Sequence, residues 1–330
     1  MTDNRPADTS EEAGARGRTP RVAVVGSAVV DFVAHVPTRP RPGETVLARD
    51  LTVAVGGKGV NQAIAAARLG AEVAFVGCVG DDALGEMIRQ ALSRDRVDAS
   101  HLLTTSDDGT AIASVVVDDT GENSIVMAPR ANMRLTPQDV EAAAALIQKA
   151  DVLLLQGEVP MDASLAAARI AHDAGATVIL NAAPAIAFPP ALLALTDVLV
   201  VNEHEAVALA EDPAAAAAAD WPGLARKLFP SGPRAVIITL GDQGAYLNDG
   251  VNEASLPAHT VAVADPTGAG DAFCGAVAAE LARGSPLADA VRLGNAAGAL
   301  AVTVTGAEPA LPHRAAVERL LAQDKRKELP

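Results

Sequence analysis

The apolar residues of this chain gather in short Val-, Leu- and Ala-rich runs separated by stretches of helical spacing. Arg21–Ser27 (RVAVVGS), Val73–Val79 and Val152–Gln156 are apolar almost throughout, with no polar alternation. Such runs predict strands buried on both faces, as in a parallel sheet covered by helices. The same pattern predicts strands over Thr177–Leu180, Val198–Val201, Ala235–Leu240 and Ala245–Asn248. Between them, Ala-rich amphipathic spacing predicts helices from Gly56 to Leu69, Asp82 to Ser93, Pro137 to Lys149, Ala163 to Ala174, Glu203 to Ala210, Trp221 to Phe229 and Asp271 to Arg283. The Ala214–Ala219 run is a helix or a linker. The alternation predicts an α/β fold: a Rossmann-like, mostly parallel central sheet with helices on both faces.

Two regions break that order. Phe32–Val36, Thr45–Ala48 and Leu51–Val55 are short β-type runs between Pro/Gly turns. Ala111–Val117 and Ser124–Ala128 flank the turn Asp118-Asp119-Thr120-Gly121-Glu122 and read as a hairpin. Together, about 32–55 and 111–128, they predict a small separate β-sheet. It would act as a lid over the carboxyl ends of the main strands, where ligands bind in such folds. Residues 1–20 are rich in Gly, Pro and charge and predict a disordered tail. The organised domain is expected over 21–314, with 315–330 as a helix end and tail.

Composition narrows the partners. A formal charge of −15 argues against nucleic acid and anionic membranes, and aromatic residues at 2% leave few platforms for stacking bases. Cys78 and Cys274 sit in apolar contexts and read as buried residues of a reducing compartment. No uninterrupted apolar run reaches the ~18 residues of a membrane span, and the polar N-terminus lacks a secretory core, so a cytoplasmic protein is expected.

The chemistry centres on Asp265-Pro266-Thr267-Gly268-Ala269-Gly270-Asp271, where a β-type run (Thr260–Ala264) leads through small residues into a helix. The first turn of a helix offers unpaired N–H groups and partial positive charge, so small residues there can cradle a phosphate. Asp271 in that cradle is placed to act as a general base beside a transferring phosphoryl group. Taken alone, the stretch reads more readily as a Gly-rich turn with an ordinary first-turn acid, since short Gly motifs are common. Three further junctions keep it company: Gly56-Gly57-Lys58-Gly59 with Asn61, Asn202-Glu203-His204-Glu205, and Thr239-Leu240-Gly241-Asp242-Gln243-Gly244. Each is ordinary alone; together they suggest a nucleotide and a small polar substrate held side by side. None has the P-loop spacing.

With these motifs, Gly56–Ala63 (GGKGVNQA) and Gly268–Asp271 (GAGD), the chain resembles the ribokinase-like family of sugar kinases from about Arg21 to Arg314. The resemblance implies ATP-dependent phosphorylation of a sugar hydroxyl, with Mg²⁺, a K⁺ activator, and a lid that also forms a homodimer. It implies Asp271 as catalytic base, with Gly268, Ala269 and Gly270 as the anion hole. Asp31, Gly56, Gly57, Lys58, Gly59, Asn61, Glu158 and Asp271 fall at the sugar positions. Asn202, Glu205, Thr239, Leu240, Gly241, Asp242, Gln243, Gly244, Gly270 and Asn295 fall where ATP and its metal are held. Asp265, Thr267, Ala301, Val304, Gly306 and Ala310 fall on the potassium loop.

Four positions depart from the family pattern: Val29 in place of a sugar-binding Asn, Pro266 after Asp265, Ala310 without a hydroxyl, and Arg130 in place of Gly. Arg130 is read as a solvated surface residue or as a phosphate contact from the lid. D-Ribose, phosphorylated at O5, is the expected substrate. The alternatives are another pentose, fructose or a nucleoside, or a non-catalytic sugar-binding regulator.

Overall fold

In β1 (Arg21–Val25) side chains alternate between two apolar layers, Val22 and Val24 in one and Ala23 and Val25 in the other. A strand covered on both faces has no polar side, which is why its sequence does not alternate. The computed structural model describes residues 19–327 and places β1 inside a nine-stranded sheet. On one side of β1 lie β4 (Glu72–Gly80) and β5 (Asp98–Thr105). On the other lie β8 (Val152–Gln156), β9 (Thr177–Asn181), β10 (Val198–Asn202), β11 (Ala235–Thr239), β12 (Ala245–Asn248) and β13 (Glu253–Leu256). Pairing is parallel except at β11–β12 and β12–β13.

The Val22 face is covered by the Lys58–Arg68, Ala83–Arg94, Ala269–Leu281 and Leu287–Ala301 helices. The Ala23 face is covered by the Pro137–Ala142, Met161–Asp173, Glu203–Leu209 and Trp221–Leu228 helices. Both cysteines are free and buried in these layers. Among the described residues no helix is long and apolar enough to cross a membrane.

A second sheet pairs β2 (Val29–His35), β3 (Asp50–Gly56), β6 (Ala111–Val117) and β7 (Asn123–Ala128) in the order β3-β2-β6-β7. Leu51, Val53, Ile125 and Val126 on it are exposed. It is the expected separate sheet, though it begins at Val29 rather than Phe32.

Other expectations need correcting. Thr45–Ala48 forms no strand: nothing pairs with it, and Leu47 is 84% exposed. Thr260–Ala264 is not a strand either, since the sheet already ends at β13; the N–H groups of Ala264 and Asp265 instead donate to Val302 O. The Pro137–Lys149 helix is broken at Ala143 into Pro137–Ala142 and Ala144–Ile147, a break that an Ala-rich pattern does not announce. β5 and β13 were not legible as strands. Both are edge strands, so their sequences stay polar where a central strand's cannot. The expected tail at 1–20 lies outside the described residues except for its last two positions.

Candidate active site

The Gly-Gly-Lys-Gly run starts its helix hard against the end of β1. A Cβ at Gly59 would stand 2.5 Å from Ser27 N and 2.6 Å from Gly26 C, so only glycine permits the approach. Val60 N donates to Ser27 O at 3.0 Å and Gly59 N to Ser27 Oγ at 3.3 Å. Ser27 Oγ in turn donates to Glu158 Oε2, which also accepts Lys58 N at 3.3 Å. The carboxylate that follows β8 is thereby fixed beside the Lys58 helix start. Asp31, on β2, packs on the backbone of Gly56, where a Cβ would come within 2.2 Å of Asp31 Oδ2.

The helix carrying the small-residue box begins at Ala269, with Gly268 as its left-handed N-cap (φ 80°), so Asp271 lies in its first turn. This helix meets the Lys58–Arg68 helix at Gly275, one turn beyond Asp271. The close approach brings two amides onto the Asp271 carboxylate. Asn61 Nδ2 donates to Oδ2 and Gln62 Nε2 to Oδ1, both at 2.9 Å. Asn61 is 4% exposed, and its Oδ1 has no hydrogen-bond partner. A buried acceptor beside a carboxylate is suited to a donor such as a hydroxyl group.

Charge is concentrated here. Burial pushes the Lys58 ammonium down, but Asp271, Glu158 and Glu205 outweigh it and hold the group above its usual value. Burial raises Glu158 despite Lys58 and Ser27, and burial likewise raises Glu205 against the Asn202 N–H and Lys58. Asp31 is raised to about 6 by burial first, then by Glu158 and Asp271. One cation thus sits among clustered carboxylates, a concentration of shifted groups of the kind that marks functional sites.

Lys58, Asn202, Glu205, Thr239, Gly270 and Asp271 line one cleft of about 140 Å³. Asn202 and Glu205 form a reciprocal cap: Asn202 N donates to Glu205 Oε2 and Glu205 N to Asn202 Oδ1, both at 2.8 Å. Gly241–Gln243 is an exposed turn beside β11, whereas Leu240 is buried in the core and its side chain does not face the cleft. Gly244 (φ 98°) is required by the turn, since a Cβ there would stand 2.1 Å from Leu256 O. Asn295 donates to Leu256 O at 2.9 Å and Pro257 O at 3.1 Å, so it holds the loop after β13.

Asp265 staples the two halves of the expected cation loop. Its Oδ1 accepts Thr267 N and its Oδ2 accepts Gly306 N, both at 2.9 Å. Burial raises this carboxyl, but hydrogen bonds from Thr267 and Gly306, with the charge of His35, more than offset it and hold it low. Ala307 backs Gly268, its Cα lying 3.1 Å from where a Cβ would be, which packs this loop against the start of the Ala269–Leu281 helix. Ala301 and Ala310 are buried, Val304 is 45% exposed, and Gly306 has φ 92°.

Comparison with known proteins decides the family. The profile of the pfkB family carbohydrate kinase matches residues 19–314. The chain belongs to the pfkB family of carbohydrate kinases. It is 38% identical to the ribokinase of Bacillus subtilis over 304 residues, 91% of this chain and 99% of that protein. It is 37% identical to the ribokinase of Haemophilus influenzae over 298 residues, 89% of this chain and 95% of the relative. The structure of Arabidopsis thaliana ribokinase complexed with ribose and ATP superposes with a TM-score of 0.84 at 31% identity, covering 92% of this chain and 99% of that one.

The departures of this kinase from the family pattern have physical settings. Val29 is 1% exposed and clusters with Ala111 and Ala113, and its Cγ2 lies 3.0 Å from where a Cβ on Gly57 would be. Arg130 has φ 41°, the left-handed region in which glycine is unstrained, and its Nη1 donates to Thr110 O at 3.2 Å with Asp108 3.5 Å from Nε. It is tied to the base of the small sheet, which favours the surface reading over a phosphate contact. Ser27, Gln62, Gln156 and Asn181 were not singled out from the sequence. Gln156 and Asn181 each end a strand with an amide after a run of buried apolar residues, VLLLQ and TVILN, and that polar ending was the available signal.

Proposed function

We propose that this carbohydrate kinase transfers the γ-phosphoryl group of ATP to O5 of D-ribose, giving D-ribose 5-phosphate and ADP. The observation that carries the reading is the Asp271 carboxylate, held by Asn61 and Gln62 at a helix start and flanked by Lys58. Likeness to the Arabidopsis ribokinase bound to ribose and ATP supports the choice of both substrates.

The sugar lies between the second sheet and the first-turn loop, with Asp31, Glu158 and the open Asn61 Oδ1 receiving its hydroxyls. Asp271 accepts the proton of the attacking hydroxyl as its oxygen bonds to phosphorus and the bond to the leaving ADP oxygen breaks. The N–H groups of Gly268, Gly270 and Asp271 receive the negative oxygens of the transferring group, whereas Ala269 N, expected among them, donates to Pro266 O at 3.3 Å; Lys58 offsets charge in the same cleft. The capping bond takes only Oε2 of Glu205, so its other oxygen would hold a hydrated Mg²⁺, which would supply charge neutralisation on the phosphates. A monovalent cation would be held by the Asp265–Thr267 and Ala301–Ala310 segments that Asp265 ties together, and would order the anion cradle. Thr239 and the Gly241–Gly244 turn border the nucleotide side, and Asn295 acts there through the loop it holds.

The small sheet serves as the lid, and its exposed Leu51, Val53 and Val126 support a homodimer formed by two lids. Light scattering at micromolar concentration checks this; a monomer excludes it. The charge of −15 and the buried free cysteines support a cytoplasmic enzyme without nucleic-acid or membrane partners.

The deciding experiment is ADP release across ribose, 2-deoxyribose, fructose, ribitol and adenosine. Ribose is expected to show the highest kcat/KM. Because Val29 offers no hydrogen bond, other pentoses are expected to be tolerated, and Val29→Asn is expected to sharpen selectivity for ribose. Fructose or adenosine as best substrate overturns the ribose assignment and leaves the family.

A further inference from the structure

The buried side chain of Gln62 has both ends of its amide engaged. Its Nε2 donates to Asp271 Oδ1 at 2.9 Å and to Asn181 Oδ1 at 3.0 Å, while its Oε1 accepts from Gln156 Nε2 at 2.8 Å. Gln62 and Gln156 are wholly buried and Asn181 is 8% exposed. The polarity of this network is set at the backbone. Val200 O can only accept, and Asn181 Nδ2 donates to it at 3.2 Å. Asn181 must therefore present its oxygen to Gln62, and Gln62 must present its NH₂ to Asn181 and, with the second hydrogen, to Asp271. A flipped Gln62 would set an acceptor against the carboxylate and against Asn181 Oδ1.

We infer that Gln62, oriented through Asn181 by the Val200 carbonyl and through Gln156, is a positioning residue for Asp271. It holds the carboxylate in one orientation with a donor that cannot take its proton. With Asn61 on the other oxygen, each carboxylate oxygen carries one neutral amide and keeps lone-pair capacity for the sugar hydroxyl. The charged and titratable groups around Asp271 are Lys58, Glu158, Asp31, Glu205 and Cys274, and none of them makes this bond. A buried amide chain anchored on a central strand is a rigid support, and small misplacement of a reacting group costs rate steeply.

This rests on Asp271 being the base of the reaction proposed above, so the test measures wild type and Asp271→Asn first, with the sugar that wild type turns over best. A wild type with no sugar turnover removes the proposed function itself. Given an active wild type, Gln62→Leu keeps the volume and removes the donor. Its kcat is expected to fall about 10–100-fold while KM for ATP stays within about 2-fold. Gln62→Glu keeps the shape and the acceptor for Gln156 but sets a second carboxylate against Asp271. Two carboxylates at that distance share a proton, so the acid limb of the kcat–pH profile is expected to move to higher pH. A Gln62→Leu enzyme with kcat within about 2-fold of wild type overturns the inference while leaving the proposed function standing. Should that variant fail to fold, an unmoved acid limb in Gln62→Glu overturns it instead.

Discussion

Gly275 and Ala65 define how closely the Ala269–Leu281 and Lys58–Arg68 helices approach: a Cβ on Gly275 would stand 2.5 Å from the Cβ of Ala65, with Gln62 O at 2.7 Å and Ala66 N at 2.9 Å. Two of these three neighbours are backbone atoms, so a methyl group there has to move a helix. Gly275→Ala is expected to cost about 1–3 kcal/mol of stability by overpacking. It should also lower kcat more than it raises KM for ATP, because it draws Asn61 and Gln62 away from Asp271. Thermal denaturation and steady-state kinetics on the same preparation check both parts.

Asp271→Asn preserves the shape of the group and its place in the first turn but removes the proton acceptor. A fall in kcat of about 10²–10⁴-fold is expected, with ATP binding by calorimetry largely retained. Retention of more than about a tenth of wild-type kcat would mean that another group is the base.

Asp31 carries a testable cost. Its carboxyl is raised from 3.8 to about 6, so between those values the folded protein holds a proton that the unfolded chain has released. The corresponding stability is fully present below the unfolded value and is lost as pH rises through about 6. At neutral pH the ionised group therefore burdens the fold. Asp31→Asn is expected to raise stability at pH 7.5 by an amount on the order of 1–2 kcal/mol once partial exposure is allowed for, read as a higher Tm, and to have little effect near pH 4. The same variant should raise KM for the sugar. An equal Tm shift at both pH values would separate the effect from ionisation.

Activity is expected to rise when K⁺ replaces tetramethylammonium, through the loop that Asp265 staples. Ala310 offers no hydroxyl, so Ala310→Ser should lower the K⁺ concentration needed for half-activation. Identical rates in the two salts would remove the cation role from this loop.

By itself the sequence determined the layered sheet, because strands buried on both faces must be apolar along the buried run, as β8 and β10 are up to Gln156 and Asn202. It also placed the small-residue loops at helix starts, since Gly57 (φ 89°) and Gly268 (φ 80°) adopt backbone conformations that other residues resist. What it left open was which of these loops meet. Asn61 and Asp271 are 210 residues apart, and their contact depends on two helices lying side by side over a strand order that local periodicity does not encode. Edge strands β5 and β13 stayed illegible for a related reason: one open side lets them remain polar. The roles of Ser27, Gln62, Gln156 and Asn181 belong to tertiary structure alone. A buried amide or hydroxyl is defined by its partners, and the fold brings those partners from distant parts of the chain.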